Sequence, residues 1–171
     1  QTGLGKTYGY LLPALNLESQ AGILVSVPTK ILQNQIMQEE GQRLKEVFHM
    51  EIHSLKGPQN YLKLDAFHQI LYRSESNRLF TRFKMQLLIW LTETETGDLD
   101  EIGQLYRYQH FLPELVHDGK LSKKSLFATE DFWKRGQEKA KTSRVLLTNH
   151  AYLVTRLEDN PEFVNNRLLI L

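Results

Sequence analysis

Cysteine is absent from all 171 residues. That absence removes disulfides, thiolate zinc sites and any cysteine-ligated iron–sulfur cluster from what this chain can build. Long apolar runs are missing as well. The stretch 87–91 is among the longest, far short of the ~20 residues a membrane-spanning helix needs. No charged-then-apolar leader opens the sequence, so the expectation is a soluble, cytoplasmic protein, or a piece of one, with no membrane partner. Neither sign of charge is in excess. A net charge of +1 gives the chain as a whole no electrostatic footprint for nucleic acid. Internal repeats and low-complexity segments are also lacking. What is present is globular in character, with 41% hydrophobic and 24% charged residues. The length allows one domain with a core of its own, or one domain carrying an insertion.

The distribution of charge says more than its sum. Residues 93–118 hold seven acids against Arg107, a net of −6, and residues 119–144 hold eight bases against three acids, a net of +5. Adjacent blocks of opposite sign either neutralise each other across a folded helical unit or leave a basic surface for DNA phosphates, with Lys123, Lys124 and Lys134 as its candidate contacts.

The first seven residues read Gln-Thr-Gly-Leu-Gly-Lys-Thr. This is the end of the phosphate-binding P-loop pattern, whose opening small residue would lie just before Gln1. Gly3 and Gly5 let the backbone approach phosphates with no side chain in the way. Together with Thr2 and Leu4 they would present N–H groups to the anion at the start of a helix. Lys6 would reach the β- and γ-phosphates, and the Thr7 hydroxyl would complete a Mg²⁺ shell. The expected ligand is ATP with Mg²⁺, and Lys6 and Thr7 are the candidate catalytic residues.

Periodicity after the loop predicts a helix over 7–15, with Pro13 near its end. A buried parallel strand follows over 22–27. Thr29 is a good N-cap for a second helix, on which Leu32, Ile36, Glu40, Leu44 and Phe48 form one stripe. Residues 50–55 read as another strand. His49 and His53 have the spacing of a shared helix face, but one of them falls in that strand, and with no third ligand evident a metal site is not expected. From 60 to 143 the character turns helical. Residues 78–91 set Leu79, Phe83, Leu87 and Leu91 at four-residue intervals, flanked by Phe80 and Trp90. Gly97 ends that helix, residues 98–101 have capping-box spacing, and another helix is expected over 130–141. Aromatics of this region, such as Phe83, Tyr106 and Trp133, either stack on bases or fill the core, and helical spacing favours the core for most. Strand character returns over 144–148, then a short helix over 149–157 and a strand from 167. The predicted layout is an α/β domain with a parallel sheet, over 1–59 and 144–171, interrupted by a mostly helical insertion over 60–143.

Four segments in this order resemble the first motor domain of the DinG helicases, bacterial relatives of the XPD group in helicase superfamily 2. Residues 1–7 resemble motif I. Residues 25–35 contain Thr-x-x-Leu-x-x-Gln at Thr29, Leu32 and Gln35, the motif Ia pattern. Residues 56–62, Lys-Gly-Pro-Gln-Asn-Tyr-Leu, resemble the entrance to the family's iron–sulfur domain. Residues 147–153 resemble the re-entry into the motor domain. A weaker likeness sits at 94–98. The resemblance implies a RecA-like motor domain in which Thr29 and Gln35 touch the phosphates of single-stranded DNA, with Thr148, Asn149 and His150 of the re-entry segment as further candidate DNA contacts. For Thr29 and Asn149 plain helix capping accounts for the residue equally well, and the two roles are compatible.

The sequence departs from the family in two ways. Lys63 and Asp131 stand where the cluster-bearing members have cysteines, so the insertion is expected to hold together by packing, without an iron–sulfur cluster. The resemblance would also call for Asp-Glu-Ala-His directly after Leu171. The leading expectation is therefore a part of an ATP-dependent DNA helicase acting on single-stranded DNA. The alternative is a nucleotide-responsive DNA-binding module of an exonuclease-fused DinG-like protein that does not unwind, since the cluster-free form resembles proteins with an N-terminal DnaQ-like nuclease. A P-loop ATPase with no role on nucleic acid would leave the motif Ia and re-entry patterns to coincidence. Oligomeric state is not legible. Because the acid pair that would orient water and metal is not among them, these 171 residues alone are expected not to hydrolyse ATP. Turnover above background that Lys6→Ala abolishes would overturn this.

Overall fold

A computed structural model describes residues 6–16, 22–50, 52–74, 76–120 and 125–171. The chain divides into two compact units, Gln1–Lys56 with Glu138–Leu171, and Gly57–Gln137.

The first unit is an α/β layer structure. Helix α1 (Lys6–Asn16) leads to strand β1 (Gly22–Val27), and a long helical stretch follows as α2 (Lys30–Ile36), one wide π turn (Met37–Gly41) and α3 (Gln42–Phe48). Strand β2 (Ile52–Ser54) comes next. After the second unit the chain returns as β3 (Val145–Asn149), a helix over His150–Asp159 and β4 (Arg167–Ile170). The sheet order is β2-β3-β1-β4, and every pairing is parallel. Successive strand side chains point to opposite faces, and the sheet uses both. Ile23, Val25, Val27, Ile52, Val145 and Leu147 pack with Leu11, Ala14, Ile36 and Leu44 on one face, and Leu24 and Leu146 pack with Leu55, Ala140, Tyr152 and Leu153 on the other. Burial on both faces explains why β1 reads as a continuous apolar run rather than an alternating one.

The expected stripe on the second helix is not the one observed. Leu32 is 38% exposed and Phe48 48%, while Gln33, Ile36, Gly41 and Leu44 are buried. The step from Ile36 to Gly41 spans five residues because the π turn inserts one, and everything after it is rotated relative to a regular helix. His49 ends α3 in the left-handed conformation, and its N–H donates to the Leu44 carbonyl. It therefore shares no element with His53 of β2.

The second unit contains α4 (Leu64–Leu71), α5 (Arg78–Leu91), several 3-10 turns and the start of α6 (Phe132–Thr142). The His150–Asp159 helix is accordingly α7. The unit boundary falls inside α6 because Ala140 is buried with the β1 and β3 residues of the first unit. The Asn77 side chain caps α5 by accepting from the N–H groups of Leu79 and Phe80. The core of the unit is aromatic. Phe83 stacks on Tyr108 with ring centroids 4.3 Å apart, and Phe80 on Phe111 at 4.4 Å. The α5 residues in this core are Phe80, Phe83, Lys84 and Leu87, with Trp90 and Leu91 partly buried against it. Leu79, expected there, is 45% exposed. Lys84 reaches the interior because its ammonium donates to the carbonyls of Ile70 and Arg73 at the end of α4. The capping box expected over 98–101 also fails. Asp98 caps a 3-10 turn alone, and Glu101 instead accepts from Thr94, Thr96 and Trp90. Gly97 lies in the loop after α5 with φ +68, and a Cβ there would run into the Phe132 ring.

The two places where the resemblance sets cysteines carry polar side chains bonded to adjacent residues, 117 and 118. Lys63 pairs with Asp118 at 2.8 Å, and Asp131 with the buried His117 at 3.1 Å. The Lys63 ammonium holds the Asp118 carboxyl down at about 2. Burial works against the Asp131 carboxylate, but the bonds from His117 and from the Lys134 N–H outweigh it, and its pKa is lowered. The Gly119 N–H donates to His117 Nδ1. That nitrogen must then be bare, so the ring proton sits on Nε2 and points at Asp131.

Phe83 is 0% exposed at the centre of this core, so Phe83→Ala is expected to cost about 3–5 kcal/mol. Leu79→Ala, four residues earlier on an exposed position, should stay within roughly 1 kcal/mol. Denaturant unfolding of both variants tests the assignment. Equal losses would mean that the core has been drawn on the wrong face of α5.

Candidate nucleotide and nucleic-acid site

In a parallel sheet all carboxyl ends share one edge, and ligands gather there. The register pairs Val27 with Asn149, so the loops leaving β1 and β3 are neighbours on that edge. α1 runs toward the other edge. The Arg144 guanidinium, just before β3 begins, donates to the carbonyl of Leu15 near the helix end. Eleven residues of helix rise roughly 16 Å, about the length of the strands. The start of α1 therefore lies at the carboxyl edge, where a phosphate-binding helix N-terminus belongs.

Thr2, Gly3, Leu4 and Gly5 lie outside the described residues, and of Lys6 only the backbone is described, as the first residue of α1. Thr7 is 6% exposed. Its hydroxyl donates to Glu40 Oε1 on the π turn at 3.2 Å. One turn further along α1, the Tyr10 phenol hydrogen-bonds with Thr7. Burial raises the Tyr10 pKa, and the Glu40 charge adds to the rise against the bond to Thr7.

Beyond β1, Thr29 is exposed and caps α2, accepting from the Leu32 N–H at 3.2 Å. Gln35 is exposed on the same helix. Between them, Gln33 is fully buried. Its Nε2 donates to Ser54 Oγ, Leu55 O and Leu147 O at 2.9–3.2 Å, and its Oε1 accepts from Asn149 Nδ2 at 2.9 Å. Asn149 Oδ1 in turn caps α7 through the Tyr152 N–H. Thr148 is 0% exposed and its hydroxyl has no hydrogen-bond partner among the described residues. Thr148 and Asn149 are both buried at the end of β3. His150 is half-buried, and its Nδ1 meets Ser26 Oγ at 2.8 Å.

Sequence reasoning missed Gln33, Glu40 and Ser26. Gln33 falls between the motif positions on a helix that reads as amphipathic, and nothing local marks a glutamine as buried. Glu40 was assigned to an apolar stripe, where a lone acid is out of character, and that mismatch is the one signal that could have found it.

In the second unit, Lys123 and Lys124 lie outside the described residues. Lys134 is half-buried, and its ammonium donates to the Ala128 carbonyl at 3.2 Å. Two ion pairs of the acidic stretch among the described residues go to bases outside the basic one. Asp118 pairs with Lys63 and Glu114 with Arg73, both bases outside 119–144.

Replacing Gln33 by Leu would leave the Asn149 amide and two buried carbonyls short of partners. Each such group costs about 1–3 kcal/mol, so Gln33→Leu should lower stability by at least about 2 kcal/mol. In a double-mutant cycle with Asn149→Ala the two losses should couple rather than add. Denaturant unfolding measures both, and a Gln33→Leu protein as stable as the parent would remove the amide from its central position.

Residues 1–103 match the DEAD/DEAH box helicase family. The chain is 33% identical over 166 residues to the 3'-5' exonuclease DinG of Staphylococcus saprophyticus, covering 92% of this chain and 18% of that protein. It is 33% identical over 158 residues to the 3'-5' exonuclease DinG of Bacillus subtilis (90% and 17%) and 31% identical over 156 residues to that of Staphylococcus aureus (89% and 17%). The chain thus spans less than a fifth of the length of the curated relatives it matches. With the parallel sheet, the helix start at its carboxyl edge and these likenesses together, the chain belongs to the DEAD/DEAH box helicase family, as a DinG-type member.

Proposed function

We propose that this chain is the nucleotide-gripping part of a motor that couples ATP hydrolysis to movement along single-stranded DNA. The observation that carries the reading is the common edge: the start of α1 with Thr7, and the capped start of α2 with Thr29, both belong to the carboxyl side of one parallel sheet. ATP with Mg²⁺ supplies the phosphoanhydride bond whose cleavage drives the motor. The residues present suit it, because Thr7 is a hard oxygen donor held in the first turn of a helix. Thr2, Gly3, Leu4 and Gly5 would hold the phosphates through N–H groups, Lys6 would neutralise them, and Thr7 would ligate the metal.

On the DNA side, Thr29 and Gln35 are exposed and available to phosphate oxygens. His150 is the re-entry residue with surface to offer. Asn149 acts indirectly, by capping the start of α7, and Thr148 stands beside it at the end of β3 with an unpartnered hydroxyl among the described residues. The basic stretch of Lys123, Lys124 and Lys134 adds a sequence-independent grip.

A second reading draws on the printed names of the relatives, which are 3'-5' exonucleases. In it the DNA chemistry of the intact protein belongs to a nuclease, and this motor part holds or gates the strand without unwinding. An unwinding assay beside a nuclease assay on the intact protein separates the two. ATP-dependent strand separation that Lys6→Ala abolishes supports the motor. Nucleotide-modulated 3'-5' degradation with no unwinding supports the gate.

The DNA grip has its own test, a salt titration of single-strand affinity. Replacing Lys123, Lys124 and Lys134 together by Ala should weaken binding equally across sequences and lower the salt slope by about one unit per lost contact. An unchanged affinity and slope would remove the basic stretch from the DNA path.

A further inference from the structure

The π turn gives Glu40 a place that a regular helix would not. Four residues after the buried Ile36, an unbroken α-helix would carry it onward along the stripe under the sheet. The inserted residue puts Gly41 in that buried position instead, and the Glu40 carboxylate meets the Thr7 hydroxyl at 3.2 Å across 33 residues of sequence. Single π turns of this kind recur at functional sites.

A threonine hydroxyl has one proton and two lone pairs. Left to rotate, it can donate to a phosphate or water oxygen as readily as it can face a cation. With its proton held on Glu40 Oε1, it offers lone pairs alone.

We propose that Glu40 is a positioning residue for the nucleotide-bound metal ion: it fixes the Thr7 hydroxyl as a pure acceptor directed at Mg²⁺. This rests on the nucleotide-motor reading above. Groups that orient a metal ligand from behind are worth about 10–100-fold in metal affinity.

The test is nucleotide affinity of the intact protein, measured with a fluorescent ATP analogue across a Mg²⁺ titration and again in excess chelator. In the parent, Mg²⁺ should tighten binding. Glu40→Ala should lose about tenfold of that gain while its affinity in chelator stays unchanged. Glu40→Gln, whose amide oxygen still accepts the hydroxyl proton, should keep most of the gain and serves as the folded control. Thr7→Val should abolish the gain, and adding Glu40→Ala to it should change nothing further. The proposal is overturned if Glu40→Ala keeps the full Mg²⁺ gain, if it weakens binding equally with and without Mg²⁺, or if its loss adds to that of Thr7→Val. A parent protein with no Mg²⁺-dependent nucleotide binding overturns the motor reading and this one with it. A normal parent with an unaffected Glu40→Ala overturns this one alone.

Discussion

The side-chain amide of Gln33 is the interaction on which the carboxyl edge of the sheet depends. The ladder between β2 and β3 runs out there, with the Leu55 N–H on the Leu147 carbonyl as one of its last bonds. Past that point the strands part, and the buried carbonyls of Leu55 and Leu147 have no strand left to satisfy their second lone pairs. Gln33 Nε2 reaches both of them, and Ser54 Oγ besides. Its Oε1 then takes the Asn149 amide, whose other end caps α7. One side chain thereby fixes the height of α2 on one face of the sheet and the start of α7 on the other. Thr29 and His150 owe their positions to it, because each lies a few residues along a backbone that the amide pins.

The second unit solves a different problem. A small helical unit rich in 3-10 turns has many backbone groups outside regular ladders and little core with which to hold its loops. Its stacked aromatics supply the core. Its loops are tied by adjacent residues that point opposite ways, buried His117 to Asp131 at the head of α6 and exposed Asp118 to Lys63 before α4. The bond from the neutral His117 ring to the Asp131 carboxylate is a charge-assisted hydrogen bond, and it fixes which segments meet. The arrangement is polar at both positions where the family resemblance sets cysteines.

What could be read from sequence, and what could not, follows the range of the forces involved. Strand β1 and helix α5 were legible because their signals are local: a β-branched run bounded by Pro28, and an apolar pattern of helical period over 78–91. The caps at Thr29 and Asn149 were legible for the same reason, since a cap is satisfied within three residues. The choice between Leu79 and Phe80 was not. Leu79 opens the four-residue stripe and Phe80 only flanks it, and the side facing inward was set by rings at Tyr108 and Phe111, far along the chain. Lys84 in the core was out of reach because its partners are the carbonyls ending another helix. The π turn was out of reach too, and with it the contact between Glu40 and Thr7, which needs two helices packed side by side before it exists.

Charge in this chain is engaged locally before it is available to a partner. On the acidic side, Glu101 gathers three donors, Asp98 caps a turn, and Glu114 and Asp118 take bases from outside the basic stretch. On the basic side, Lys134 is held by a carbonyl, the Arg135 guanidinium lies 5.7 Å from the centre of the Phe132 ring, and Arg144 fastens the end of α1. Lys139 and Lys141 are exposed in the last turn of α6, where the helix dipole favours cations. Any of these that turned to a phosphate would give up a contact worth a few tenths of a kcal/mol or more, which sets against the gain from counterion release. A raw count of eight bases therefore overstates the positive charge that can be offered to DNA. The steepness of a salt dependence registers only those side chains that move onto phosphate at a net gain, so it measures this surface where a sum over the sequence does not.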